Sequence, residues 1–139
     1  MERPEQTQRV LAWFVLVGAT LQFFLAGLAV FRAKPHDNDK LFESSSFDAH
    51  QVVGYAVILL SFALLVMAFV NRDQLRLALL LFILMLVQYA LAKAGSDIAA
   101  LGALHPINGV LVLLVSYQLA REKPERTRAK PEPAEAAHS

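Results

Sequence analysis

The chain has 139 residues, of which 56% are hydrophobic, and its mean hydropathy is +0.45, too apolar for a soluble domain of this length to cover with polar side chains. The composition therefore indicates an integral membrane protein whose first partner is the lipid bilayer. A formal net charge of +1 argues against nucleic acid as a partner, and the lack of cysteine excludes disulfides and thiolate ligands but not histidine-based haem or metal sites.

Four apolar stretches lie between charged residues, and each is close to the ~20 residues that a membrane helix needs. We predict spans at about 10–31, 47–70, 76–94 and 98–121, which together form one transmembrane domain over residues 1–121. The polar segment 71–76 is so short that the second and third helices must be antiparallel neighbours. The predicted fold is therefore all-α, a transmembrane four-helix bundle with up-down-up-down topology.

Local signals refine these spans in chain order. A cleavable signal peptide is the alternative interpretation of the first span, although its apolar run is longer than the apolar region of a usual signal. The serines at 44–46 precede the second span, and any of them could cap its helix. Pro106 is expected near the start of the fourth helix, where a missing N–H costs little. Residues 122–139 are charged and rich in Pro, Ala and Glu, which predicts a disordered tail.

The distribution of Lys and Arg predicts the orientation, because these residues favour the cytoplasmic side. One side of the predicted bundle carries Arg3, Arg9, Arg72, Arg76, Arg121, Lys123, Arg126, Arg128 and Lys130. The other side carries Arg32, Lys34, Lys40 and Lys93 together with most of the acidic loop residues. We therefore expect a multi-pass protein of a bacterial inner membrane with both termini, and the tail, in the cytoplasm.

The second and fourth helices each begin with the motif His-x-x-x-Gly. The first copy is His50 and Gly54, and the second is His105 and Gly109, with Asn108 immediately before the glycine. Positions four residues apart lie on one helix face, so each histidine should have a bare patch of backbone one turn deeper. Both helices run from the outer to the inner side, so the two histidines are predicted at matching depth.

The first and third helices also share a motif, Gln-aromatic-x-Leu-Ala, which starts at Gln22 and at Gln88. The chain therefore reads as two copies of a helix pair, which commonly pack about a pseudo-two-fold axis with a site between them. We expect both glutamines nearer the membrane centre than the histidines. There they would bond each other, a helix carbonyl or a bound quinone.

Two facing histidines suit haem b, which takes an axial nitrogen from each side, and glycines would let the macrocycle approach the backbone. The expected ligands are His50 and His105, and the wider cofactor site includes Gly54, Gly109, Gln22, Gln88 and Asn108. The haem propionates would pair with Arg32, Lys34, Lys40 or Lys93 at the outer side.

Each of these features has a second interpretation. Glycines are commonly helix-packing notches, and membrane glutamines commonly form interhelical hydrogen bonds. Two imidazoles also suit copper or zinc, for which a third ligand would have to come from Asp48 or Asn108. A non-redox membrane subunit or a small transporter would use the same residues as internal hydrogen-bonding groups.

The paired Gln-x-x-Leu-Ala and histidine-led helices resemble one four-helix half of the haem A synthases. This resemblance implies that His50 and His105 are axial haem ligands. The His-x-x-x-Gly and Leu-His-Pro-x-Asn-Gly motifs also resemble a family of small bacterial four-helix membrane proteins, over most of residues 10–121. Where haem A synthases carry a glutamate one turn before a ligand histidine, this chain has Phe47, and it lacks their outer-loop cysteine pair. Synthase activity is therefore not expected.

The leading functional prediction is a membrane-embedded b-type cytochrome. With both axial positions filled by histidine, electron transfer is favoured over oxygen binding. Its redox partner would be a quinone, another protein or a small oxidant, and the sequence specifies neither an oxidoreductase reaction nor whether the chain forms a homo-oligomer.

Overall fold

The computed structural model describes residues 4–32 and 45–121, which form four long α-helices. They are α1 (Pro4–Arg32), α2 (Asp48–Asn71), α3 (Leu75–Gly95) and α4 (Ala99–Arg121), and a 3₁₀ turn, Ser45–Phe47, precedes α2. Each contains a stretch long and apolar enough to cross a membrane, with mean hydropathy between 1.8 and 2.6. The predicted all-α fold is thus confirmed as a multi-pass membrane bundle. The predicted tail, 122–139, and most of the loop between α1 and α2 lie outside the described residues.

The helices pack in a ring in which each contacts two neighbours. The main contacts are those of α1 with α2 and α4, and those of α3 with the same two helices. The connections between α2 and α3 and between α3 and α4 are a few residues each, so consecutive helices are antiparallel. Consequently α2 and α4 run in the same direction and lie diagonally across the bundle.

The centre of the bundle is packed with small and medium side chains, while large apolar side chains face outward. Val15, Leu64 and Leu81 are completely buried, whereas Phe24 and Phe31 are 64% and 91% exposed. Membrane helices pack through close van der Waals contact and leave their bulkier apolar side chains to the lipid. This distribution agrees with a bundle whose outer surface is solvated by hydrocarbon.

The internal repeat extends through the core. On α1 and α3 the buried residues fall in one register, and the same is true of α2 and α4. The matched buried pairs are Ala12 and Ala78, Val15 and Leu81, Ala19 and Met85, Val57 and Val112, Ser61 and Ser116, and Leu64 and Leu119. The pair α1–α2 is therefore repeated by α3–α4 in its packing as well as in its motifs.

The turn between α2 and α3 is tied to the beginning of α1. Arg72 and Gln74 adopt left-handed backbone conformations, with φ of 52° and 53°. Gln8 on α1 is 3% exposed, donates to the backbone oxygen of Asp73 (3.2 Å) and accepts from Asn71 Nδ2 (3.3 Å). A polar side chain that sequence analysis placed outside the first span is thus buried by contact with this turn.

One expectation about the helix ends is wrong, and one depends on a residue outside the described ranges. Phe47 stands at the N-cap of α2 and its side chain makes no capping hydrogen bond, while Ser44 lies outside the described residues. Pro106 lies inside α4, beyond its first turn, although α4 begins at Ala99, within one residue of the predicted span. The start of α4 accompanies a close crossing in which a Cβ on Gly95 would lie 2.6 Å from the Cα of Gly102. Proline has no N–H to donate to the carbonyl four residues earlier, which here is that of Gly102.

Candidate functional site

The bundle brings the two motif histidines together across its diagonal. His50 lies in the first turn of α2 and His105 lies in the second turn of α4. Their ring centroids are 6.3 Å apart, with an angle of 56° between the ring planes, and both side chains are partly buried. Phe47 packs edge-on against the His50 ring at 6.2 Å. The histidines predicted from the repeated motif are therefore neighbours in the folded chain.

Each histidine is held by the backbone of the helix that precedes it. The Nδ1 of His50 lies 3.1 Å from the backbone oxygen of Gln22, and the Nδ1 of His105 lies 3.1 Å from that of Gln88. A carbonyl oxygen can only accept, so Nδ1 carries the proton in both rings. The lone pair of each neutral imidazole is then on Nε2, the atom available to a ligand or donor.

The two glutamine side chains lie beside the histidines and extend toward the motif glycines one turn deeper. Gln22 Nε2 donates to the backbone oxygen of His50 at 2.9 Å, while its Oε1 is buried without a partner. Gln88 Nε2 instead lies 3.0 Å from His105 Nε2. Because the protonated Nδ1 leaves Nε2 as an acceptor, the Gln88 amide donates to it. Neither glutamine bonds the other.

Asn108 produces this difference between the two halves. Its Nδ2 donates to Gln88 Oε1 at 2.6 Å and to the backbone oxygen of Leu84 at 2.9 Å. With Oε1 engaged by Asn108, the Gln88 amide nitrogen faces His105. The position in α2 that corresponds to Asn108 is Val53, which has no polar group to offer Gln22.

Neighbouring side chains occupy the space beside the two motif glycines. A Cβ on Gly54 would lie 3.1 Å from Gln22 Nε2, and one on Gly109 would lie 2.9 Å from Phe23 Cζ. The backbone beneath each histidine is therefore covered, and the glycines act as packing notches for these two side chains. Phe23 was not predicted as part of the site, because its role depends on how α1 crosses α4.

The remaining expected site residues are peripheral or undescribed. Arg32, Asp48 and Lys93 are exposed, while Lys34 and Lys40 lie outside the described residues. Within 4–32 and 45–121, no group of three His, Cys, Asp or Glu side chains is placed to hold a metal ion.

Sequence analysis also missed two buried serines below the histidines. Ser61 and Ser116 are fully buried, and each donates to a carbonyl of its own helix, at 2.7 Å in both cases. Each lies at the same spacing after its histidine, so extending the repeat beyond the glycines would have found the pair.

Comparison with protein families gives one result. The profile of DUF6220, a family of unknown function, matches residues 22–95, slightly more than half of the chain. The matched region runs from Gln22 through His50 to Gln88 and ends before His105. Neither the curated proteins nor the solved structures gave a match. The likeness to haem A synthases therefore rests on the motifs alone, and the chain belongs to the DUF6220 family.

Proposed function

We propose that this protein is a b-type membrane cytochrome in which His50 and His105 hold haem b as its two axial ligands and the haem transfers electrons. The observation that carries the proposal is the pair of imidazoles that lie next to each other across the bundle, with ring centroids 6.3 Å apart. The two histidines come from the same motif, one copy in each repeat.

The spacing of the rings favours ligands on opposite sides of one metal. An imidazole nitrogen binds a metal at about 2 Å, and the ring centroid lies about 1 Å farther away. Two imidazoles on opposite sides of an iron therefore have centroids about 6 Å apart, whereas tetrahedral zinc draws them to about 5 Å. The observed 6.3 Å agrees with the first arrangement. The copper or zinc alternative also needs further ligands, and the described residues offer no suitable group.

The hydrogen bonds of the histidines also suit ligation. Imidazoles that bind metals usually donate their other N–H to a carbonyl or a carboxylate, which fixes the ring and its tautomer. The backbone oxygens of Gln22 and Gln88 accept from Nδ1 in this way. Both rings are thus oriented by main-chain atoms of packed helices rather than by mobile side chains.

Haem binding requires local rearrangement, and the residues that must move can be named. Gln88 must release His105 Nε2, and the side chains of Phe23 and Gln22 must make room beside the glycines. Phe23 is 41% exposed, so it can rotate toward the lipid. A bound haem supplies one-electron chemistry at a potential set by its axial ligands and surroundings, while the chain orients the imidazoles and excludes water.

The setting of the site suggests its partners. Arg9, Arg72 and Arg121 lie at the end of the bundle opposite the histidines, as expected for the cytoplasmic side of a bacterial inner membrane. Both termini are then cytoplasmic, and the histidines lie toward the outer leaflet. A quinone from the bilayer or a redox protein at the outer surface would exchange electrons with this site.

The test is the absorption spectrum of protein purified after expression with ample haem. We expect a red protein whose Soret band sharpens on reduction, loss of the band in His50→Ala, and a shifted band in His105→Ala, whose haem would keep one histidine. The matched control is His36→Ala, which removes a histidine outside the described residues and should leave the spectrum unchanged. Circular dichroism separates loss of haem from loss of fold, and added imidazole should restore the band in a folded variant. A colourless wild type, or copper or zinc bound in stoichiometric amounts, would overturn the proposal.

A further inference from the structure

The two histidines differ at the nitrogen that would bind a metal. Both are oriented alike through Nδ1, but only His105 Nε2 accepts a hydrogen bond, at 3.0 Å from Gln88 Nε2. In the other half, the Gln22 amide is directed to the backbone oxygen of His50 instead. A site built from two copies of one motif therefore has chemically unequal halves.

The Gln88 side chain is held in this orientation from behind. Asn108 is 7% exposed, and its bonds to Gln88 Oε1 and to the Leu84 carbonyl leave the Gln88 amide N–H groups facing His105. Val53 takes the corresponding place in α2, so Gln22 has no such support. An amide that competes for the Nε2 lone pair of a histidine is therefore present only in the α3–α4 repeat.

We infer that His105 is a displaceable axial ligand and that a small neutral diatomic ligand takes its place, while His50 stays bound. This inference rests on the proposed haem. The Nε2 lone pair of His105 cannot both bind iron and accept from Gln88, so the amide stabilises the state in which His105 is released. A hydrogen bond of ordinary strength shifts such an equilibrium by about tenfold. Donors beside an open coordination position in turn govern the binding of small ligands to haem.

The experiment is a titration of the reduced holoprotein with carbon monoxide, followed by the shift of the Soret band. Wild type should bind carbon monoxide. Gln88→Leu removes the competing amide and should weaken this binding about tenfold. Asn108→Val copies the first half of the repeat and should weaken it in the same direction. The matched control, Gln118→Leu, should leave the affinity unchanged, because Gln118 is exposed near the end of α4 that lies away from His105.

The haem-free protein provides a second measurement. In protein labelled with ¹⁵N at histidine, Gln88→Leu should shift the Nε2 resonance of His105 and leave that of His50 in place. A Soret band that carbon monoxide does not change would overturn this inference and leave the proposed cytochrome intact. Equal effects of the two glutamine substitutions on carbon monoxide affinity would do the same. A wild type without any Soret band would overturn both proposals.

Discussion

Alanine at Gly18 and at Gly27 should change the stability of the bundle in opposite directions. A Cβ on Gly18 would lie 2.6 Å from Val57 Cγ2, whereas one on Gly27 would have no atom within 4 Å. Carbon atoms in favourable contact are about 3.5–4.0 Å apart, so the added methyl at Gly18 is about 1 Å too close. Val57 is 2% exposed and branched at Cβ, so it can neither move outward nor change rotamer freely.

The magnitude follows from two opposing terms. Overpacking a core costs about 1–3 kcal/mol, while replacing a helical glycine by alanine gains about 0.5–1 kcal/mol. The gain is common to both variants because both lie in α1, so Gly18→Ala should be less stable than Gly27→Ala by about 1–3 kcal/mol. Gly27→Ala should equal or exceed the wild type.

The assay is reversible unfolding in detergent micelles by titration with sodium dodecyl sulfate, followed by circular dichroism. A double-mutant cycle with Val57→Ala serves as the control, since removing Cγ2 should abolish most of the penalty at Gly18. If Gly18→Ala proves as stable as Gly27→Ala, or if its penalty persists beside Ala at position 57, the proposed contact between α1 and α2 is wrong.

Two further predictions concern the end of the bundle opposite the histidines. Arg72→Gly should raise the free energy of unfolding by about 1 kcal/mol, because Arg72 has a φ of 52° that glycine adopts without strain. Arg9→Gly, which removes the same charge from a regular helix, should instead lower it by about 1 kcal/mol; the same shift in both variants would contradict this account. Gln8→Leu should lower stability by about 1–3 kcal/mol, because its partners in the α2–α3 turn lose their hydrogen bonds. The matched control is Gln6→Leu, because Gln6 is exposed on the same helix. Equal unfolding midpoints for Gln6→Leu and Gln8→Leu would refute the role of the contact between Gln8 and the turn.

The sequence was sufficient for the features that depend on composition and spacing. Apolar runs between charges predicted the four crossings, and the short segment 71–76 predicted the antiparallel pair. The repeated His-x-x-x-Gly motif brought His50 and His105 to one site, because equal motifs on diagonal helices of a pseudo-symmetric bundle face each other. These properties follow from helix periodicity and need no knowledge of side-chain contacts.

The sequence was insufficient where a neighbouring helix decides the outcome. The first helix begins at Pro4 rather than near residue 10, because the polar Gln8 is satisfied by a turn more than 60 residues away. The notch at Gly109 is filled by Phe23, which depends on the packing of α1 against α4. The opposite orientations of the Gln22 and Gln88 amides depend on Asn108, whose effect is apparent only in three dimensions.

The bonds between each histidine and the preceding helix have a mechanical consequence. Each imidazole is attached to both helices of its own pair, His50 to α1–α2 and His105 to α3–α4, and neither is attached to the other pair by a backbone hydrogen bond. A rocking of one pair against the other would therefore carry each ring with its pair and change mainly the gap between the rings. The separation of the histidines thus reports the relative position of the two helix pairs, and a group that binds both rings would link those pairs.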